Sequence, residues 1–143
     1  MSSPAAAPED PDSLVAALAQ AGRVAQQRLA RCPSAQRAEA LRAAARALRR
    51  DEPAILAAND QDMAAGAARG LSGAMLDRLR LDSARLAAIA AAVAAVAELP
   101  DPVGLELDRA ERPNGLVLSR VRVPIGLIGI IYESRPNVTA DAA

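Results

Sequence analysis

Apolar residues recur at intervals of three and four through the first hundred positions. Just afterwards they recur at intervals of two, so the chain is predicted to pass from helices to strands near Gly104. Leu14, Leu18, Ala21, Ala25 and Leu29 mark one face of a first helix, capped by Asp12 or Ser13 and ended by Pro33. Gln20, Arg23, Gln27 and Arg31 fall on its other face. Ser34 is expected to cap a second helix with Ala38, Leu41, Ala45 and Leu48 inward. Its outer stripe of Glu39, Arg42, Arg46 and Arg49 reads as a solvated face spaced for charge pairs rather than a phosphate or nucleic-acid patch. A third helix starts near Asp51, tolerates Pro53 in its first turn, uses Ile55, Leu56, Met63 and Ala67 for the core, and stops at Arg69-Gly70. A short helical turn over 74–79 follows. Asp82 or Ser83 then caps a long helix to Leu99 with Leu86, Ile89, Val93 and Val96 as its stripe.

Beyond Pro100-Asp-Pro102, Leu105, Leu107, Val117, Val121 and Val123 alternate with Glu106, Asp108, Ser119 and Arg122 around Pro113-Asn-Gly115. That pattern predicts an antiparallel hairpin whose exposed edges need a partner. Residues 125–132 then form an uncharged run rich in β-branched side chains. It is expected to be a strand buried on both faces, as in a parallel sheet. A polar turn over 133–137 and helical character from Val138 complete the opening of a βα unit, the place where α/β proteins bind ligands. Gly126 and Gly129 lack the third glycine of a dinucleotide fingerprint, and close backbone packing is their expected role.

Composition narrows the chemistry. Seventeen basic residues balance seventeen acidic ones, and Tyr132 is the single aromatic, so neither a global field nor a stacking platform favours nucleic acid. With no histidine and one cysteine, no transition-metal site and no histidine-assisted nucleophile is expected. The Asn59, Asp60 and Asp62 cluster lacks the glycine and terminal glutamate of a calcium loop, and surface polar residues are expected there. The start carries no secretory signature, and the longest apolar stretch, 86–97, is too short for a bilayer, so the cytoplasm and no membrane partner are expected.

The segment Val123-Pro-Ile-Gly-Leu-Ile-Gly-Ile-Ile-Tyr-Glu-Ser-Arg-Pro-Asn-Val-Thr-Ala-Asp-Ala-Ala143 closely resembles the gamma-glutamyl phosphate reductases, or glutamate-5-semialdehyde dehydrogenases, of the aldehyde dehydrogenase superfamily. The likeness continues through Leu99-Pro-Asp-Pro-Val-Gly104, Arg112-Pro-Asn-Gly-Leu116 and Met75-Leu-Asp-Arg-Leu79, covering nearly all the chain after the first ten or so residues. It implies an α/β parent fold of which this chain is the amino-terminal part. The expected order is a disordered arm (1–11), a helical lead-in (12–100), a β-hairpin for bridging or oligomerisation (101–123), and the first strand-turn-helix start of an incomplete NADPH-binding domain (124–143). It further implies NADPH-dependent reduction of L-glutamyl 5-phosphate in proline biosynthesis, by a longer homo-oligomeric enzyme. A stand-alone helical interaction protein or remnant, and another member of the superfamily, are the alternatives.

Such a reductase needs a thiolate, a hydride donor and donors for the developing oxyanion. Cys32 precedes a proline at a helix carboxyl end, where the dipole disfavours a thiolate, and an inert thiol is expected. The resemblance implies that the catalytic cysteine lies beyond residue 143, so this chain alone is expected to be inactive. Asn137 can donate an amide N–H to an oxyanion, the role that the resemblance implies, or cap a helix beginning at Val138. Glu133, Ser134, Arg135 and Pro136 share its turn, and by resemblance line the NADPH groove. Arg135 can face a phosphate, or pair with Glu133 or Asp141.

Overall fold

The computed structural model describes residues 10–133 and 135–142. The expected arm therefore falls outside the described residues, apart from Asp10 and Pro11. Pro11 is the first residue of helix α1 (Pro11–Leu29), and Asp10 caps it by accepting Ser13 N–H at 3.1 Å and Ser13 Oγ–H at 2.7 Å. Proline at the first helical position costs no hydrogen bond, which moves the start ahead of the predicted Asp12 or Ser13. The second cap also shifts, because Pro33 occupies the cap and Ser34 is the first residue of α2 (Ser34–Arg50).

The chain divides into two compact units, each built from two separate stretches. One comprises residues 33–101 and 129–143 and holds α2, α3 (Glu52–Ala68), α4 (Gly73–Leu79), α5 (Ser83–Val96) and α6 (Pro136–Ala142). The other comprises residues 1–32 and 102–128, with α1 and the hairpin of β1 (Glu106–Glu111) and β2 (Val117–Val121).

In the helical unit, α2 and α5 form the principal packed pair, and their buried residues are small: Ala45, Ala90 and the following Ala97, with Leu86 the one large side chain fully enclosed among the described residues. Alanine faces let helix backbones approach closely, so little volume is needed to exclude water. Arg42 bonds Glu98 at 2.9 Å and Arg37 pairs with Asp101, tying α2 to the segment after α5. Arg46 reaches Glu39 at 2.6 Å, so the charged stripe of α2 does form pairs. Two expected core residues are solvated: Ala67 is exposed and Val96, the last residue of α5, is 52% exposed.

Helix α3 ends in a Schellman motif. Leu71 N–H reaches the Gly66 carbonyl at 3.1 Å and Gly70 N–H the Ala67 carbonyl at 3.0 Å, with Gly70 at φ +77°. Gly66 is closely packed: a Cβ there would lie 2.9 Å from Leu71 Cδ1 and 3.3 Å from Leu76 Cδ2, so those side-chain ends would have to shift to admit one.

In the second unit, β1 and β2 pair antiparallel with a bulge between Glu106 and Asp108. Gly115, at φ +82°, closes a three-residue turn in which Arg112 N–H donates to the Leu116 carbonyl at 2.8 Å. Against α1, the Leu127 side chain lies where a Cβ on Gly22 would stand, 2.9 Å away.

Residues 125–132 do not form the expected strand. They carry no regular secondary structure, and Ile125 at 90% and Ile131 at 103% are fully solvated. A central strand is stabilised by ladder bonds on both sides, and β1 and β2 pair only with each other. Gly126 and Gly129 have open space around them rather than close backbone neighbours, and what Gly126 supplies is a positive φ of 110°.

Candidate functional site

The polar turn and α6 meet the start of α5. Val138 and Ala140 turn inward on α6, which packs on α5, and Tyr132 hydroxyl lies 2.8 Å from Thr139 Oγ1, fixing the entry to the helix. Asn137 falls one position inside α6, because the helix begins at Pro136 and not at Val138. It therefore does not cap the helix. Its Nδ2 donates to Asp141 at 2.9 Å, one turn on, which fixes the exposed amide.

Arg135 and Asn137 border a cavity of about 430 Å³ in the helical unit, shared with Asp77 and Arg78 from α4, Arg80 from the α4–α5 bend and Arg85 from the first turn of α5. Ile89, Ala88 and Pro136 give it an apolar wall. Arg85 is committed to structure: its guanidinium bonds the Asp77 carboxylate at 2.9 Å and the carbonyls of Asp77 at 2.6 Å and Arg80 at 2.9 Å. That uses the one carboxylate on the cavity among the described residues and leaves Arg78, Arg80 and Arg135 around it. Arg135 makes neither of its expected ion pairs among the described residues, since Asp141 receives Asn137 instead. Glu133 is exposed, and Ser134 lies outside the described residues.

The bend itself is held by Asn59, which is buried and not the surface residue expected from its polar neighbours. Asn59 is 4% exposed; its Nδ2 donates to the Leu79 carbonyl at 2.8 Å and its Oδ1 accepts Leu81 N–H at 2.7 Å. A buried amide is stable only when satisfied on both sides, and this one is. Asp60 and Asp62 are exposed, and no cluster of metal-binding side chains occurs among the described residues.

Cys32 belongs to the other unit, half-buried after α1, where its Sγ–H donates to the Arg28 carbonyl at 3.3 Å. A larger cavity of about 540 Å³ between α2 and α5 is lined by Arg42, Arg46 and Arg49 over alanines, but the first two of these arginines are already paired with Glu98 and Glu39. No helix among the described residues is long and apolar enough to cross a membrane.

No protein-family model matches the chain. It is 64% identical over 138 residues to a gamma-glutamyl phosphate reductase of Sphingopyxis alaskensis, a match spanning 96% of this chain and 32% of that protein. A protein of the same name from Novosphingobium aromaticivorans is 62% identical, across 98% of this chain and 33% of its own length. Among solved structures, the gamma-glutamyl phosphate reductase of Thermotoga maritima superposes with a TM-score of 0.85 at 38% identity, over 90% of this chain and 31% of that one. That of Saccharomyces cerevisiae gives 0.83 at 33% identity, over 88% and 32%. The chain thus spans about a third of the length of the relatives it matches, and the resemblance read from its sequence is borne out.

Proposed function

We propose that this chain is the amino-terminal portion of an NADPH-dependent gamma-glutamyl phosphate reductase. The complete enzyme converts L-glutamyl 5-phosphate, NADPH and a proton to L-glutamate 5-semialdehyde, phosphate and NADP⁺, serving proline biosynthesis in the cytoplasm. The observation that carries this reading is identity of 64% along 96% of the chain to a protein of that name. The cavity bearing Asn137 agrees with it, because a side-chain amide there suits an oxyanion.

Asn137 is the oxyanion donor in this reading. Its bond to Asp141 engages one Nδ2 proton and orients the amide, which leaves the other Nδ2 proton for the substrate. Arg135, on the cofactor-facing turn, fits a phosphate, whether of the cofactor or of the acyl phosphate: it is exposed and makes no ion pair among the described residues. Glu133, Ser134 and Pro136 complete the cofactor-facing turn. The nicotinamide supplies hydride when bound, while this segment binds and orients.

In the complete enzyme, residues 125–132 would pair as the first strand of the nucleotide-binding domain, and their solvated isoleucines are what such a run presents when no neighbouring strand covers it. The hairpin, 101–123, bridges domains or subunits, and its exposed Leu118, Val121 and Val123 suit that task. Cys32, bonded to a helix carbonyl, does not supply the nucleophile, so the chain alone is inactive.

The test is a fusion of this chain to the remaining two thirds of the Sphingopyxis alaskensis protein, assayed for NADPH oxidation with glutamyl phosphate. Turnover by the fusion, and none by the chain alone, is expected. A folded but inactive fusion would overturn the reading.

A further inference from the structure

The backbone at Arg80 is fixed from every side. Its N–H donates to the Leu76 carbonyl at 3.0 Å, its carbonyl accepts Arg85 Nη1 at 2.9 Å, and Asn59 holds the carbonyl before it and the N–H after it at 2.8 and 2.7 Å. The Arg80 side chain, by contrast, makes no hydrogen bond or ion pair among the described residues, and the same holds for Arg78 and Arg135. All three border the 430 Å³ cavity, where Asp77, the carboxylate on the lining among the described residues, is taken by Arg85. Like charges gathered on one hollow repel one another, and an anion between them converts that repulsion into attraction. A preorganised bend presenting an unsatisfied guanidinium is what a receptor for such an anion requires.

We propose that Arg80, together with Arg135, binds an oxyanionic group, carboxylate or phosphate, of a small-molecule substrate in this cavity. The guanidinium fork matches either group with two parallel N–H donors, and Arg78 adds to the field. The wall of Ala88, Ile89 and Pro136 suits the methylenes that join such a group to the rest of the molecule. The identity of the molecule rests on the reductase reading: Arg80 and Arg135 anchor one charged end of L-glutamyl 5-phosphate while Asn137 faces its reacting carbonyl. Arg80 is then a specificity-determining residue and Asn59 a positioning residue acting through the bend.

Nuclear magnetic resonance titrations of the 143-residue chain with sodium phosphate, and separately with glutarate, read binding directly against chloride at matched ionic strength. Saturable shifts of the Arg80 and Arg135 Nε–H and Asn137 side-chain amide signals are expected. Saturation by glutarate alone identifies the carboxylate, and by phosphate alone the phosphoryl group. Arg80→Gln and Arg135→Gln are each expected to weaken binding about tenfold or more, the scale of a lost charge-assisted hydrogen bond. Arg80→Lys keeps part of it, and Arg23→Gln, an exposed charge on the other unit, leaves it unchanged. Shifts that chloride reproduces, or weakening that Arg23→Gln matches, overturn the proposal.

In the fusion, Arg80→Gln should raise KM for glutamyl phosphate about tenfold with kcat nearly constant, the signature of lost uniform binding. An active fusion whose KM ignores Arg80→Gln overturns the subsite and leaves the reductase reading standing. An inactive fusion, with anion binding at Arg80 intact on the chain, sinks that reading and supports the subsite.

Discussion

Asn59 Oδ1, on α3, accepts the backbone N–H of Leu81 at 2.7 Å, a contact spanning 22 residues of sequence. The other end of the same amide holds the Leu79 carbonyl, so one buried side chain clamps both flanks of the α4–α5 bend.

Replacing Asn59 by leucine keeps the branched skeleton and strands both backbone groups. Asn59→Leu is expected to cost about 2–4 kcal/mol in chemical denaturation, the sum of two poorly satisfied groups. Asn59→Asp keeps the acceptor for Leu81 but turns an anion toward the Leu79 carbonyl. Its loss at neutral pH should shrink as acid protonates the new carboxyl, which then donates as the amide did.

Gly70→Ala tests the helix stop. At φ +77° any Cβ is strained although nothing crowds it, so a loss of about 1 kcal/mol is expected, measured as a lowered denaturation midpoint. Gly66→Val should cost more, about 1–3 kcal/mol, because it collides with Leu71 and Leu76.

Ile131 has its whole side chain in water. Ile131→Lys is expected to reduce concentration-dependent light scattering by the isolated chain without lowering its melting temperature. In the fusion the same change should impair folding, since the proposed sheet would bury that position.

Acid should destabilise the chain late. Hydrogen bonds from Ser13 hold the Asp10 carboxyl below its usual 3.8. The Arg46 guanidinium does the same to Glu39, and Arg50 to Asp51. A depressed folded-state value contributes stability above the unfolded value and loses it as pH falls through the folded one. The melting temperature should therefore stay level from neutrality to about pH 5 and decline below about pH 4, with high salt blunting the effect. With no histidine, no step near pH 6.5 is expected.

Asn137→Ala in the fusion should lower kcat on the order of 10²–10³-fold, the value of one oxyanion donor. Thermal stability should hardly change, because the amide caps nothing and its bond to Asp141 is exposed.

The helices were legible because Leu41, Ala45 and Leu48, or Leu86 and Ile89, carry a 3.6-residue period that packing then uses. The hairpin was legible from its alternation and from Gly115. Asn59 was misread because its partners lie twenty residues away, though a signal existed: it falls in register with Leu56, Met63 and Gly66 on the apolar face of α3. The run 125–132 failed for a different reason. β-branched residues record a preference for strands, but only a neighbour's backbone makes one. Arg80 gave no warning at all, as its setting is created by α3, α5 and α6 together.

The helical unit is assembled from residues on both sides of the hairpin, and the hairpin unit from residues on both sides of the helices. During synthesis, α1 therefore emerges from the ribosome well before Leu127, the side chain that meets it at Gly22, has been made. It must wait, largely bare, while four later helices appear. Order of arrival is therefore expected to weigh on how this chain matures, and a chaperone that shelters its first helix would have more to do here than in a bundle folded from neighbours.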